Sequence, residues 1–304
     1  WRRFCGIGYQ QRVPDASTLI KLTHKFGDEM LAEINSLIIA NLRARKIVRG
    51  RKIRTDTTVI ASDIHYPTDA GLLFDGLRRL RQKLVKVPGI GLRLGRTMTK
   101  AKKMIFSIAQ ALRKPDAKSR ERVKRINRKI LRIVRKTVIK VQRVLRKVKD
   151  PKVRGHLETT LGLTDRVAGQ TEERLSGGKP TDKVVSLADP GARSIVKGKL
   201  ANPVEFGRVG QITQDESGYF TQYGVHNGNP GDVTLLPGIV EKHKRQFPRA
   251  LKVFAADMGF SSRENHKLLK ARGVRRIGMA WRGNPPPDIR AKQGRAWFKA
   301  LMAF

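Results

Sequence analysis

The chain has 304 residues, enough for two domains or for one large domain carrying an insertion. Its 39% hydrophobic content suffices for a packed core, and no run approaches the roughly 18 apolar residues that a membrane span needs. One cysteine, Cys5, excludes an internal disulfide and a cysteine-built zinc site, as expected in a reducing cytoplasm, while 65 Lys and Arg against 25 Asp and Glu direct attention to a polyanionic partner.

The opening Trp1-Arg2-Arg3-Phe4 precedes no apolar stretch and does not read as a secretory signal. It has no initiator Met, so a clipped N-terminus is expected. The β-branched run from Ile53 to Ile60 predicts a first strand with Asp56 inside it, between Thr55 and Thr57. Leu72 to Val87 and Thr97 to Leu112 predict helices, with Pro88 and Pro115 as breaks. Asp69 is expected to cap the first of them. Pro88-Gly89-Ile90-Gly91 resembles a helix-hairpin-helix turn over four residues only, and a plain turn explains it.

Charge is concentrated further on. From Lys118 to Lys149 there are fifteen basic residues and one acid, Glu121. Apolar residues recur at steps of three and four from Val123 to Val148, which predicts a long amphipathic helix ended by Asp150-Pro151. Its cationic face, including Arg128, Arg132, Arg135 and Arg143, is expected to contact nucleic-acid phosphates. A solvated helix packed by its apolar stripe explains the same pattern. Ser176-Gly177-Gly178-Lys179-Pro180 reads as a linker closing the helical block.

Beyond the linker the pattern changes to alternating strands and helices. Val204 to Thr213 predicts a second strand with an irregularity at Gly207 and Gly210; Asp215 to Gly218 a turn; Tyr219 to Val225 a third strand. Asp232 opens a helix with Leu236, Ile239, Val240 and His243 on one face, and Leu251 to Ala256 a short buried strand ending at Asp257. Ser261 with Glu264 is a capping-box pattern for the next helix, Gly273 ends it, and Val274 to Ala280 supplies a fifth strand. The expected architecture is an α/β core interrupted after its first strand. Taken alone, Asp56 and Asp257 are each explained equally well as strand-end caps or ion-pair partners.

Several segments together resemble the motifs of bacterial insertion-sequence DDE transposases. They are Thr55-Asp56-Thr57-Thr58-Val59, Ile64-His65-Tyr66-Pro67-Thr68-Asp69, Lys197-Gly198-Lys199, Pro203-Val204-Glu205-Phe206-Gly207, Gly228-Asn229-Pro230-Gly231-Asp232 and Ala256-Asp257-Met258-Gly259-Phe260-Ser261, in that order. Trp1 to Phe4 and Val13 to Leu19 are similar to the helical segment that precedes the core in that family. The resemblance implies a ribonuclease-H-like mixed sheet with a long basic helical insertion after the first strand. The domains would be a helical segment at 1–50, the first strand at 51–71, the insertion at 72–175 and the rest of the core at 176–304. It implies metal-dependent cleavage and strand transfer of DNA, with transposon ends and target DNA as partners and no membrane partner. A homodimer and a bacterial, nucleoid-associated location are compatible with it. Asp56 and Asp257 would be two catalytic acids binding Mg2+ or Mn2+, and Lys197 and Lys199 would join the arginines as DNA-binding candidates.

Two departures stand against the pattern. Met258 follows the second acid where the family usually has Arg or another residue. No third acid is evident, because Glu264 is taken up by capping and Asp288 follows Pro285-Pro286-Pro287 in an expected loop. The resemblance then places that acid beyond Phe304 and implies a C-terminal truncation. Asp63 competes with Asp56 as a nearby acid, His65 reads as part of a shaped turn, and Glu205 as the partner of a basic neighbour. A non-catalytic basic nucleic-acid-binding protein, or a decayed transposase fragment, is the alternative from a different class.

Overall fold

The computed structural model describes residues 2, 6–13, 15–87, 89, 92–114, 116–196, 204–248, 251–281 and 283–303. Lys197, Lys199 and most of Pro88-Gly89-Ile90-Gly91 lie outside the described residues. The elements in chain order are α1 (Ala16–Ala44), β1 (Lys52–Ala61), α2 (Asp69–Leu84), α3 (Gly95–Ala111), α4 (Ala117–Leu145), α5 (Pro151–Leu175), β2 (Arg193–Val196), β3 (Val204–Asp215), β4 (Phe220–His226), α6 (Asp232–Gln246), β5 (Val253–Ala256), α7 (Arg263–Ala271), β6 (Arg276–Gly278), α8 (Pro287–Gln293) and α9 (Ala296–Met302). The protein is a mixed α/β chain with an open, mixed sheet. It forms two compact units: Trp1–Thr57 with Gln211–Gly224 and Gly231–Phe304, and Thr58–Gly210 with Val225–Pro230.

In the first unit β1 is flanked by β3 on one side and β5 on the other, with β4 on β3 and β6 on β5. β1, β5 and β6 are parallel. β3 runs against β1, Glu216 N donating to Lys52 O at their shared end, and returns into β4 through a tight turn in which Asp215 N donates to Tyr219 O. The core lies where Ile53 and Phe254 face Leu236, Ile239 and Val240 of α6 and Leu269 of α7. Ile53, Phe254 and Leu236 are fully buried, each worth about 1.5–3 kcal/mol of apolar transfer. Within α1, Gly27 at φ 75° breaks the helical backbone, a conformation that glycine adopts without a Cβ penalty.

The second unit is built on helices. α2 and α4 both pack on α5, and α3 on α4, around Leu73, Leu77, Leu80, Ile130, Val134, Val141, Leu157 and Val167. The apolar stripe expected on α4 is thus spent on neighbouring helices. Asp150 does more than end α4: its carboxylate accepts from Lys152 N and Val153 N and caps α5, with Pro151 at the first helical position.

Several boundaries differ from expectation for identifiable reasons. Thr68, not Asp69, caps α2 by accepting from Gly71 N, which leaves Asp69 in the first turn to pair with Arg174. Ser262, not Ser261, caps α7, while Ser261 Oγ lies 3.2 Å from His266 Nε2. β3 is an unbroken ladder through Gly207 and Gly210. A Cβ at Gly207 would sit 2.0 Å from the Ile60 carbonyl oxygen, so glycine is there for close approach rather than for a bulge. The fifth expected strand shortens to the three residues of β6. Asp288 lies in the first turn of α8, which the prolines before it initiate, rather than in a loop. β2, a four-residue edge strand antiparallel to β3, has no counterpart among the expected elements.

Candidate active site

Asp56 sits midway along β1, and Asp257 directly follows β5. The registered pairs run from Lys52–Val253 to Thr55–Ala256, so Asp56 and Asp257 come next on two neighbouring parallel strands. The backbone at Asp257 is still extended (φ −69°, ψ 176°), and hydrogen-bonded strands lie about 4.8 Å apart. β5 is buried throughout Phe254–Ala256, but the step from the last pair is the same on both strands: Thr55 and Ala256 are buried, Asp56 and Asp257 exposed. Both acids therefore project from the same, solvent side of the sheet.

The segment under Asp56 is locked by hydroxyls. Thr55 Oγ1 donates to Ile212 O (3.1 Å) and accepts from Gln211 Nε2 (3.2 Å) and Thr213 Oγ1 (3.0 Å), all in the buried seam between β1 and β3. A polar cluster with its donors and acceptors matched holds one geometry better than apolar contacts alone. The sequence marked Thr55 only as a β-branched neighbour; its partners come from β3 and could not be read locally.

Each carboxylate spends one oxygen on its own backbone. Asp56 Oδ1 accepts from Thr57 N at 2.8 Å, and Asp257 Oδ1 from Gly259 N at 2.8 Å. Neither acid forms a salt bridge among the described residues, although the chain carries 65 Lys and Arg. Elsewhere cations do find acids: Asp69, Asp75, Asp165, Asp182, Asp189 and Glu241 are all paired. Two like charges on adjacent strands repel unless a cation lies between them, and among the described residues no side chain forms a salt bridge with either.

A third carboxylate stands close by. Asp232, in the first turn of α6, accepts from Thr57 Oγ1 at 2.9 Å through Oδ1. Its Oδ2 and Asp257 Oδ1 both crowd Gly259, at 2.4 and 3.0 Å from where a Cβ would stand. In the sequence Asp232 counted as a helix opener and as the end of the Gly228–Asp232 motif segment, without a role at the site. Asp–Gly spacing gives no hint that α6 brings it to the end of β5.

Hard oxygen donors suit Mg2+ or Mn2+, ions that keep several waters and need only one or two carboxylates from the protein. Asp56 and Asp257 fit that donor set. Among the described residues no three His, Cys, Asp or Glu side chains are grouped to hold a metal ion, so Asp232 counts as a neighbour of the pair and not as a third ligand. No protein-family profile, curated protein or solved structure matches the chain. Glu264 does not join the pair. It is exposed at the start of α7, and hydrogen bonds from its own backbone amide and Ser262 hold its carboxyl below the usual range.

The predicted DNA-contacting arginines lie on α4 in the second unit. Arg128, Arg132 and Arg143 are exposed. Arg135 is not available in the same way: its guanidinium bonds Asp165 (2.5 Å) and Glu172 (2.7 Å) on α5. It clamps two helices together, because Asp165 and Glu172, two turns apart, lie on the same face of α5. No helix among the described residues is long and apolar enough to cross a membrane.

Proposed function

We propose that this chain is the core of a DDE-type insertion-sequence transposase, with a ribonuclease-H-like sheet that uses Asp56 and Asp257 in metal-dependent cleavage and joining of DNA. The observation that carries the reading is the register of β1 with β5, whose last pair, Thr55–Ala256, immediately precedes these two acids, neither of them in a salt bridge among the described residues. The strand arrangement supports it further. Setting β2 aside, the strands in chain order are first β1, second β3, third β4, fourth β5 and fifth β6, and across the sheet they run third, second, first, fourth, fifth, with only the second against the first. This order agrees with the ribonuclease-H-like core that the proposal calls for, with α2 to α5 inserted after the first strand.

Asp56 and Asp257 would hold Mg2+ or Mn2+, which when bound supplies charge stabilisation at the attacked phosphodiester. The chain's own contribution is positioning. The Thr55 cluster fixes β1, the Gly259 amide orients Asp257, and Thr57 holds Asp232 next to it. Water is the attacking group in cleavage and a DNA 3′-hydroxyl in joining.

The test is nicking of supercoiled DNA with Mn2+. Slow nicking is expected, abolished by Asp56→Asn and by Asp257→Asn and retained by Asp63→Asn. Nicking that persists in both single variants would reject the site. A second reading, a non-catalytic basic nucleic-acid-binding protein, is favoured by one observation: the described residues hold no three-ligand group.

A further inference from the structure

The outward cations of α4 fall in one straight row. Arg125, Lys129, Arg132, Lys136, Lys140 and Arg143 are all exposed and follow one another at steps of three or four residues, which stacks them on one helix face. None of the six makes a salt bridge among the described residues, in contrast to Arg135 one step round the helix. At about 1.5 Å per residue the row is about 27 Å long. That equals the axial length of about eight base pairs at about 3.4 Å each.

The opposite face of α4 is buried in the helical core through Ile130, Val134, Val138 and Val141, so the row is mounted on a supported helix. Helix α4 contains no aromatic residue, and the row has no Asn or Gln. It thus lacks platforms on which unpaired bases stack and the amide side chains that read adenine. Unbroken like charge at about 5 Å intervals matches a phosphate backbone, where each phosphate neutralised releases condensed counterions.

We infer that this row is a seat for the phosphate backbone of duplex DNA, carried on the second unit and indifferent to base sequence. The choice of DNA rests on the proposed function; the row itself rests on charge and geometry alone. It is a separate binding surface from the carboxylate pair, with its own measurable signature.

Binding of the full chain to a short duplex of arbitrary sequence, followed by fluorescence anisotropy across a salt series, tests the inference. Changing Arg132, Lys136 and Lys140 together to Gln should flatten the slope of log affinity against log salt by about 2.7, at about 0.9 for each phosphate no longer neutralised. A control removes the same charge elsewhere: Lys102, Lys152 and Lys179, all exposed and off α4, changed to Gln, should leave the slope near its original value. Equal flattening in both triple variants, or none in the first, would overturn the inference. So would tighter binding of a single strand of the same length, or row-dependent binding to phosphatidylserine vesicles that exceeds binding to the duplex. The substitutions leave Asp56 and Asp257 intact. Nicking that survives without a slope effect rejects the row alone, and a slope effect without metal-dependent nicking rejects the catalytic reading alone.

Discussion

Replacing Gly259 with Ala probes the site without removing a carboxylate. The backbone there does not need a glycine conformation, so the whole effect comes from the added methyl. That methyl would stand 2.4 Å from Asp232 Oδ2 and 3.0 Å from Asp257 Oδ1. Ordinary non-bonded contacts are near 3.5 Å, so Asp232 must retreat by roughly 1 Å and Asp257 must turn. Turning Asp257 weakens the 2.8 Å bond from the Gly259 amide, a capping interaction worth about 1 kcal/mol. An off-rotamer carboxylate adds about 0.5–1.5 kcal/mol, and the lost chain entropy of glycine returns about 0.4–1 kcal/mol. The net expectation is a destabilisation of about 1 kcal/mol, read from urea unfolding, with a loss of Mn2+ affinity of about tenfold, since 1.4 kcal/mol is a factor of ten. Gly162→Ala, exposed on α5 with nothing within 4 Å of the added methyl, should instead stabilise by up to about 1 kcal/mol. Unchanged Mn2+ binding in Gly259→Ala would refute the placement of the two carboxylates around this glycine.

Thr55→Val keeps shape and removes the hydroxyl that Gln211, Thr213 and Ile212 share, leaving buried polar atoms unmatched; a loss of about 1–3 kcal/mol in urea unfolding is expected, with Thr57→Val, outside that cluster, losing less. His243 is buried with Nε2 donating to Gly50 O at 3.0 Å and Nδ1 without a hydrogen-bond partner among the described residues, and burial holds its pKa below the ordinary value, against smaller opposing effects of the Gly50 hydrogen bond and of Asp215. The unfolded chain takes up that proton near pH 6.5 and the folded chain does so only at lower pH, so stability should be full above about pH 6.5 and fall as pH drops below it. His243→Gln should flatten the urea midpoint between pH 7 and 5.5; an unchanged pH dependence would show that other groups govern it.

What could be read from the sequence followed the range of the signals. The β-branched run Ile53–Ile60, the stripe on α4 and the amphipathic face of α6 are local signals, and the elements they predicted are present. Caps moved by one residue at Thr68 and Ser262, because neighbouring Thr, Asp and Ser side chains offer near-equivalent acceptors and tertiary contacts choose among them. β2 is too short to carry a period, and β6 keeps only three residues of the expected fifth strand; both are set by pairing, with β3 and β5 respectively. The same limit hid the Thr55 cluster, the clamp on Arg135 and the approach of Asp232, each of which needs a partner from another element. Asp56 and Asp257 could be singled out from sequence, but their adjacency depends on the pairing of β1 with β5.

That adjacency is tested most directly by letting a bound metal mark its own surroundings. Fe2+ takes up Mg2+ sites of oxygen ligands, and with ascorbate and peroxide it generates radicals that cut the polypeptide beside the ion. If Asp56 and Asp257 share one ion, the full chain should be cut at two places, near residue 56 and near residue 257. Both cuts should fade together under excess Mg2+, and each single substitution, Asp56→Asn or Asp257→Asn, should suppress both. Cleavage at only one of the two places, or two cuts that respond separately to the two substitutions, would contradict the account.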